Sequence, residues 1–447
     1  MKNIVVTLLI LVSFSVSGQN DISLEDARKA AAETNVKLLN SKLETKSAME
    51  VAASTKANFY PNVSFDVTLM HAVNPLMEIS SPGGNLPVYD GDPANLGSAS
   101  EFAYIPASTS GLLQKLGAVS LSVTQPVYAG GKIRMGEELS HMGVDVRKKQ
   151  EMLFENEVLL ETTRQYWQIV SLQEKEKTIE RYEDLLNQLS IQVNDAYKAG
   201  LIIRNDIYKL ELEQNELELN KSKLANGKHL ALLQFAKTTG IPFDSSMFLV
   251  ESVDGYESPE HYKLVGGEDY LNQLFEVQLL EKSIQAQELQ TKLKEADYLP
   301  TVAVGLNAFY LSQFEENTGG LNVFGFLSAS VPISSHWSGK HDVREMVIKE
   351  KIAQNNLEDA KKLLKLRSEK SWFDLVEAHK QIEIIEERII AANENLKVNQ
   401  SSYESSLVNL SDLLEAKALQ AQALDDLIEA KTKYNVAVAA YLQYTGK

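Results

Sequence analysis

The 447-residue chain contains no cysteine. It therefore has no disulfide framework and no thiol for lipid attachment, so packing and assembly must supply its stability. Aromatic residues make up only 8% of it, and the formal net charge is −17. An acidic chain without a basic, aromatic-laced stripe repels phosphate backbones, which excludes nucleic acid as a partner. No apolar run reaches the roughly 20 residues that a membrane-spanning helix needs. If such a chain enters a membrane, it must do so as strands. Proline is scarce as well, with 11 in all, none between 127 and 241 and none after Pro332. Proline breaks helix interiors, so these gaps leave room for very long helices. Abundant Glu, Leu, Ala, Lys and Gln favour them.

Catalytic signatures are missing too. The "GGK" at 130–132 has Pro126 where a phosphate-binding loop needs its first Gly, and Ile133 where it needs Ser or Thr. Neither GxSxG nor HExxH occurs. His336 and His341 straddle a turn, but no carboxylate or cysteine spacing completes a zinc set around them. No enzyme activity, cofactor or metal is expected.

What is present begins with Lys2, the apolar run "IVVTLLILV" and small residues at Val16 and Gly18. This pattern predicts a secretory signal over residues 1–18. Its removal takes one lysine and leaves a charge of 43 − 61 = −18.

The remainder reads as two copies of one plan. "YKAGLIIRND" at 197–206 returns as "YESSLVNLSD" at 403–412, an offset of 403 − 197 = 206 residues. Tyr166-Trp167 matches Trp372-Phe373 at that offset, and "LSVTQPV" (121–127) matches "LSASVPI" (327–333). Shared landmarks at one spacing indicate an internal duplication. It divides the mature chain at about 19–240 and 241–447. Alternating apolar and polar residues predict strands near 62–73, 116–127, 300–311 and 321–333, each apolar on one face only. The last of these, "LNVFGFLSASV", alternates less cleanly. Between the first two lies a Pro/Gly/Ser/Asn stretch, 74–111, without helical or strand period, which reads as a long loop.

Helical hairpins follow at 132–240 and 340–445. At 1.5 Å per residue, the first long helix would reach roughly 100 Å. Seven-residue seams run through both: Leu172, Ile179, Leu186, Val193, and Leu375, Ile382, Ile389, Leu396. Such seams predict coiled-coil packing. Gly200 then supplies a hairpin turn, and Asp206 and Asp412 stand where returning helices begin, favoured by the helix dipole. Leu201 and Ile202 read either as a hydrophobic staple at the turn or as a docking surface.

The order signal, two strands, helical hairpin, two strands, helical hairpin resembles the TolC family of outer-membrane efflux proteins. The likeness covers essentially the whole mature chain. Its most specific pieces are "SVTQPVYAGGKIRMG" (122–136), "YKAGLIIRNDIYKLELE" (197–213) and the run from Tyr403 to Gly446. The resemblance implies a mainly α protein with membrane β: a homotrimer whose twelve-stranded β-barrel stands on a periplasmic α-helical barrel. The loop 74–111 would then be extracellular. It implies a channel, the exit duct of a tripartite efflux or type I secretion system. The implied partners are outer-membrane lipid, a periplasmic adaptor (membrane fusion) protein and an inner-membrane RND, ABC or MFS pump. The implied periplasmic gate falls on Asp206, Tyr403, Asp412 and Glu415. The family's gating Arg lands on Val408, which makes Arg204 the substitute expected here. The adaptor-docking tips fall on Gly200, Leu201, Ser406 and Leu407, with Ser406 where the tip Gly is usual. The alternative, read from the residues alone, is a non-conducting periplasmic coiled-coil scaffold or adaptor with a small soluble sheet.

Overall fold

A computed structural model describes residues 21–112, 115–263, 268–313, 318–333 and 336–446. The expected export signal, residues 1–18, lies outside them. Strand β1 (Asp21–Ile22) and helices α1 (Leu24–Thr34) and α2 (Val36–Lys56) open the described chain. Strands β2 (Asn62–His71), β3 (Met77–Ser81), β4 (Gly84–Pro87), β5 (Phe102–Ile105), β6 (Ser108–Leu112) and β7 (Lys115–Tyr128) follow. Next come α3 (Lys132–Lys198), α4 (Arg204–Thr239), β8 (Phe248–Leu249) and the single turn α5 (Pro259–Tyr262). Helix α6 (Phe275–Ala296), strands β9 (Thr301–Gln313) and β10 (Thr318–Ser330), and helices α7 (His336–Glu404) and α8 (Leu410–Tyr444) complete it.

The four segments expected as strands hold β2, β7, β9 and β10, with their ends displaced by up to three residues. Two expectations need correcting. The segment 74–111 is not free of strands: β3 pairs with β6, and β4 with β5, in two small antiparallel ladders. Short alternations such as Met77/Ile79 and Phe102/Tyr104 carry these strands, and the prolines between them had hidden the period. Helices also precede the strands in both halves, where the sequence reading placed none. The start of α1 is set by Ser23, whose side chain accepts from the Asp26 amide.

The chain forms two compact units. One comprises the described residues of 1–49, 142–285 and 350–447. Its core is helical. Tyr166 and Phe235 are fully buried in one cluster, and the Tyr166 hydroxyl donates to the Ile22 carbonyl at 2.9 Å. That bond satisfies a buried phenol and holds β1, which pairs in parallel with β8. Leu375, Ile382 and Tyr434 form a second cluster. The predicted seams are thus core positions at Leu186, Val193, Leu375 and Ile382.

The other unit comprises Glu50–His141 and Ala286–Lys349. It holds a four-stranded antiparallel sheet in the order β10-β9-β7-β2. Cross-strand partners share a face, so the register sorts the side chains. Val63, Val123, Leu306 and Gly325 stand in one row, and Phe65, Leu121, Ala308 and Val323 in the next. Ser64, Ser122, Asn307 and Phe324 form a row on the opposite face. The apolar face is bare: Phe65 is 67% exposed and Leu327 72%.

Candidate functional site: the hairpin tips and the open sheet

Both hairpins turn by the same backbone device. At the end of α3, the Leu201 amide donates to the Ala196 carbonyl and the Gly200 amide to Tyr197, each at 2.9 Å. At the end of α7, the Leu407 amide donates to Ser402 at 2.8 Å and the Ser406 amide to Tyr403 at 2.9 Å. This six-to-one and five-to-two pattern needs a left-handed residue just past the helix. Gly200 has φ 73° and Ser406 has φ 55°. Ser406 is the one non-glycine residue with positive φ among the described residues. With Ser406 where the tip Gly is usual, the second turn keeps the geometry of the first and accepts the strain of a side chain.

The apolar residues at the turn divide in two. Ile202 and Ile207, one residue before the Ile203 cap of α4 and four after it, both pack on the cluster of Leu186, Leu189, Val193, Leu410 and Leu413. This spacing is a hydrophobic staple. Leu201 stays out, 78% exposed, and so does its counterpart Leu407, also 78%. Of the two readings offered for Leu201 and Ile202, the staple falls to Ile202 alone.

Helices α4 and α8 touch, so the two tips of one chain meet. Tyr403 packs against the shared cluster, and burial, then the nearby Asp206 carboxylate, raises its hydroxyl pKa. Asp206 itself is turned toward Lys209 at 3.6 Å. Asp412 accepts from the Asn409 amide at 3.2 Å while the Asn409 side chain accepts from the Asp412 amide, a reciprocal capping box. Glu415 is exposed and makes no hydrogen bond or ion pair within the chain among the described residues. Arg204 forms no ion pair among the described residues; its guanidinium lies over the Tyr208 ring at 5.5 Å. Tyr403 and Asp206 are thereby brought together, and Arg204 is kept apart from all three acids.

The backbones match, but the charges do not. At the first tip Lys198 pairs with Asp195 and Lys209 with Asp206, which leaves Arg204 in excess, whereas Glu404, Asp412 and Glu415 make the second tip acidic. Lys209 and Glu415 are equivalent positions, since 415 − 209 = 206.

Three residues, one at the second tip and two further along α8, escaped the sequence reading. Asn409 is one; its signal was the Asn-x-x-Asp spacing of a capping box. Lys417 is another, only 6% exposed, with its pKa lowered by burial. It stands four residues after Leu413 and three after Leu414, on the apolar face of α8, which could have drawn notice. The third is Asp425, whose pKa is raised by burial, against the pull of Lys175, and whose Oδ1 is buried without a hydrogen-bond partner.

No helix among the described residues is long and apolar enough to cross a membrane. Nor does any group of three or more His, Cys, Asp or Glu side chains there form a cradle for a metal ion.

Residues 268–447 match the family model of the outer membrane efflux protein. Over 95% of its length, the chain superposes on solved membrane proteins. A membrane protein from Pseudomonas aeruginosa gives a TM-score of 0.75 at 12% identity, covering 95% of this chain and 93% of its own. The Campylobacter jejuni CmeC outer membrane channel gives 0.72 at 12% identity, covering 95% and 85%. The open state of the Neisseria gonorrhoeae MtrE outer membrane channel gives 0.69 at 14%, covering 95% and 88%. The chain has the fold of an outer-membrane efflux channel. Its second half carries that family's sequence pattern, and the TolC-family likeness and the fold class read from the sequence, mainly α with strands, are borne out. No curated protein matches it. The matching family is one of efflux proteins, not an enzyme class.

Proposed function

We propose that this chain forms an outer-membrane exit duct for a tripartite efflux or type I secretion system, as a homotrimer of twelve strands. The observation that carries the proposal is the sheet. It has one continuous apolar face, one mainly polar face, and free edges at β2 and β10. In lipid, each unpaired backbone group on those edges costs several kcal/mol. Four strands cannot close on themselves, because the smallest membrane barrels use about eight. Identical copies sharing one barrel remove every edge. The count of three comes from the likeness to the family.

The duct conducts passively, and energy comes from an inner-membrane RND, ABC or MFS pump. The helical hairpins extend into the periplasm. Gly200, Leu201, Ser406 and Leu407 dock a periplasmic adaptor, a role supported by the exposure of both leucines and the lack of any neighbour within 4 Å of a Cβ placed on Gly200. The gate is formed by Arg204, Asp206, Tyr403, Asp412 and Glu415. The first tip, with Arg204 in excess, beside the acidic tip of the next copy closes it electrostatically, with Arg204 and Glu415 in no ion pair among the described residues and so placed to make that link. Each exposed pair contributes only about 0–1 kcal/mol, so a docking adaptor opens the gate without a large energy source. No catalytic step, cofactor or metal enters this reading.

Cell fractionation tests it. The expected result is a heat-sensitive oligomer in the outer membrane that forms conducting pores in planar bilayers. A soluble periplasmic monomer would establish the scaffold alternative instead.

A further inference from the structure

The polar face of the sheet carries an anomaly. Its rows read Ser64-Ser122-Asn307-Phe324, Asp66-Ser120-Phe309-Asn322 and Asn62-Thr124-Gly305-Phe326 across β2, β7, β9 and β10. Three phenylalanines stand among serines and asparagines, all on the β9–β10 half. They form a connected patch. Phe309 and Phe324 meet edge to face at 6.2 Å, and Phe324 and Phe326 are tilted at 6.3 Å. Phe324 and Phe326, at even positions, are what blurs the alternation of "LNVFGFLSASV".

Packing accounts for only part of the patch. The Phe326 ring lies over Gly305, where a Cβ would meet its Cζ at 2.4 Å, so Phe326 covers backbone that glycine leaves open. Phe324 covers no such gap and is 49% exposed. Charge is equally lopsided. Asp66 is the only charged residue on this face of the four strands, and it lies in the same row as Phe309. Two strand spacings put them about 10 Å apart.

We propose that Phe309, Phe324 and Phe326 form a contact site for amphiphilic organic cations on the lumenal face of the barrel, with Asp66 as the countercharge. The assignment rests on the exit-duct reading, which turns this face inward. Ring faces attract both flat aromatic bodies and ammonium or phosphonium groups, whereas a hydrated potassium ion gains little from them. A lone carboxylate in the same row selects the sign of the guest. Closure of the barrel sets β10 beside β2 of the next copy, so each aromatic patch has an acidic strand on both sides.

The test is block of single-channel potassium current by tetraphenylphosphonium in planar bilayers, with tetraethylammonium as the ring-free cation. Wild-type channels are expected to be blocked by the first far more strongly than by the second. Phe324→Ala should raise the half-blocking concentration about tenfold, equivalent to about 1.4 kcal/mol. Phe324→Trp should keep it within about threefold of wild type, and Asp66→Asn should raise it severalfold. Oligomers of unchanged heat sensitivity on gels exclude misfolding as the cause. Equal block of wild type and Phe324→Ala, or equal potency of the two cations, overturns the site while leaving the duct intact. Absence of any conductance overturns both.

Discussion

The two hairpin tips offer a matched pair of backbone perturbations. Gly200 has φ 73° and open space for 4 Å around a built Cβ, so Gly200→Ala introduces no clash. Its only cost is conformational: an L-residue in the left-handed region is strained by roughly 1–2 kcal/mol, partly offset because alanine has less freedom to lose than glycine. The net local cost is about 1 kcal/mol, which shifts the opening equilibrium about fivefold. At the other tip, Ser406 already bears that strain at φ 55°. Ser406→Gly should therefore be neutral or stabilise by about 0.5–1 kcal/mol. Hydrogen–deuterium exchange of the purified full-length protein reads both. Peptides covering 195–210 should exchange about fivefold faster in Gly200→Ala, while those covering 401–416 should be slowed or unchanged in Ser406→Gly. Unaltered exchange in Gly200→Ala, or acceleration in both variants, would refute the assignment of these turns.

Stability should respond to pH through Asp425. Burial raises its pKa in the folded state, so the native chain holds a proton that the unfolded chain has released, and stability falls as pH rises through that interval. Asp425→Asn removes the penalty, and its melting temperature should exceed wild type at pH 7.5 by more than at pH 4.5; an equal difference at both would contradict the linkage. At the gate, Arg204→Ala should raise resting conductance in planar bilayers, and Asp412→Ala with Glu415→Ala should lower cation preference. Unchanged conductance and selectivity would leave these residues with turn and capping roles only, the role Asp412 already plays with Asn409. An epitope inserted at Gly91, which is exposed with φ 104° and no neighbour within 4 Å of a Cβ, should be labelled on intact cells without loss of efflux. Labelling only after permeabilisation of the outer membrane would reverse the topology.

The sequence by itself determined the elements whose pattern is local. Helices α3 and α7 were legible because a proline-free, seven-residue apolar seam repeats over many turns, and the four long strands because period two persists for about ten residues. The tip was legible for a related reason: Gly200 marks a left-handed turn, and the 206-residue offset located its partner. Short ladders such as β3·β6 were not, since two apolar residues between prolines do not make a period. Neither were the divided roles of Ile202 and Leu201, because adjacent residues differ only in which way the turn points them. Tertiary structure alone decided how charges and faces combine. Asp206 meets Tyr403 only because α4 packs on α8, Asp412 is engaged by its own cap, and Arg204 finds an aromatic ring in place of an acid. The register of β9 against β10 gathered Phe309, Phe324 and Phe326 into one patch across from Asp66. Such pairings join residues far apart in the chain, and their energies depend on distances that no local pattern encodes.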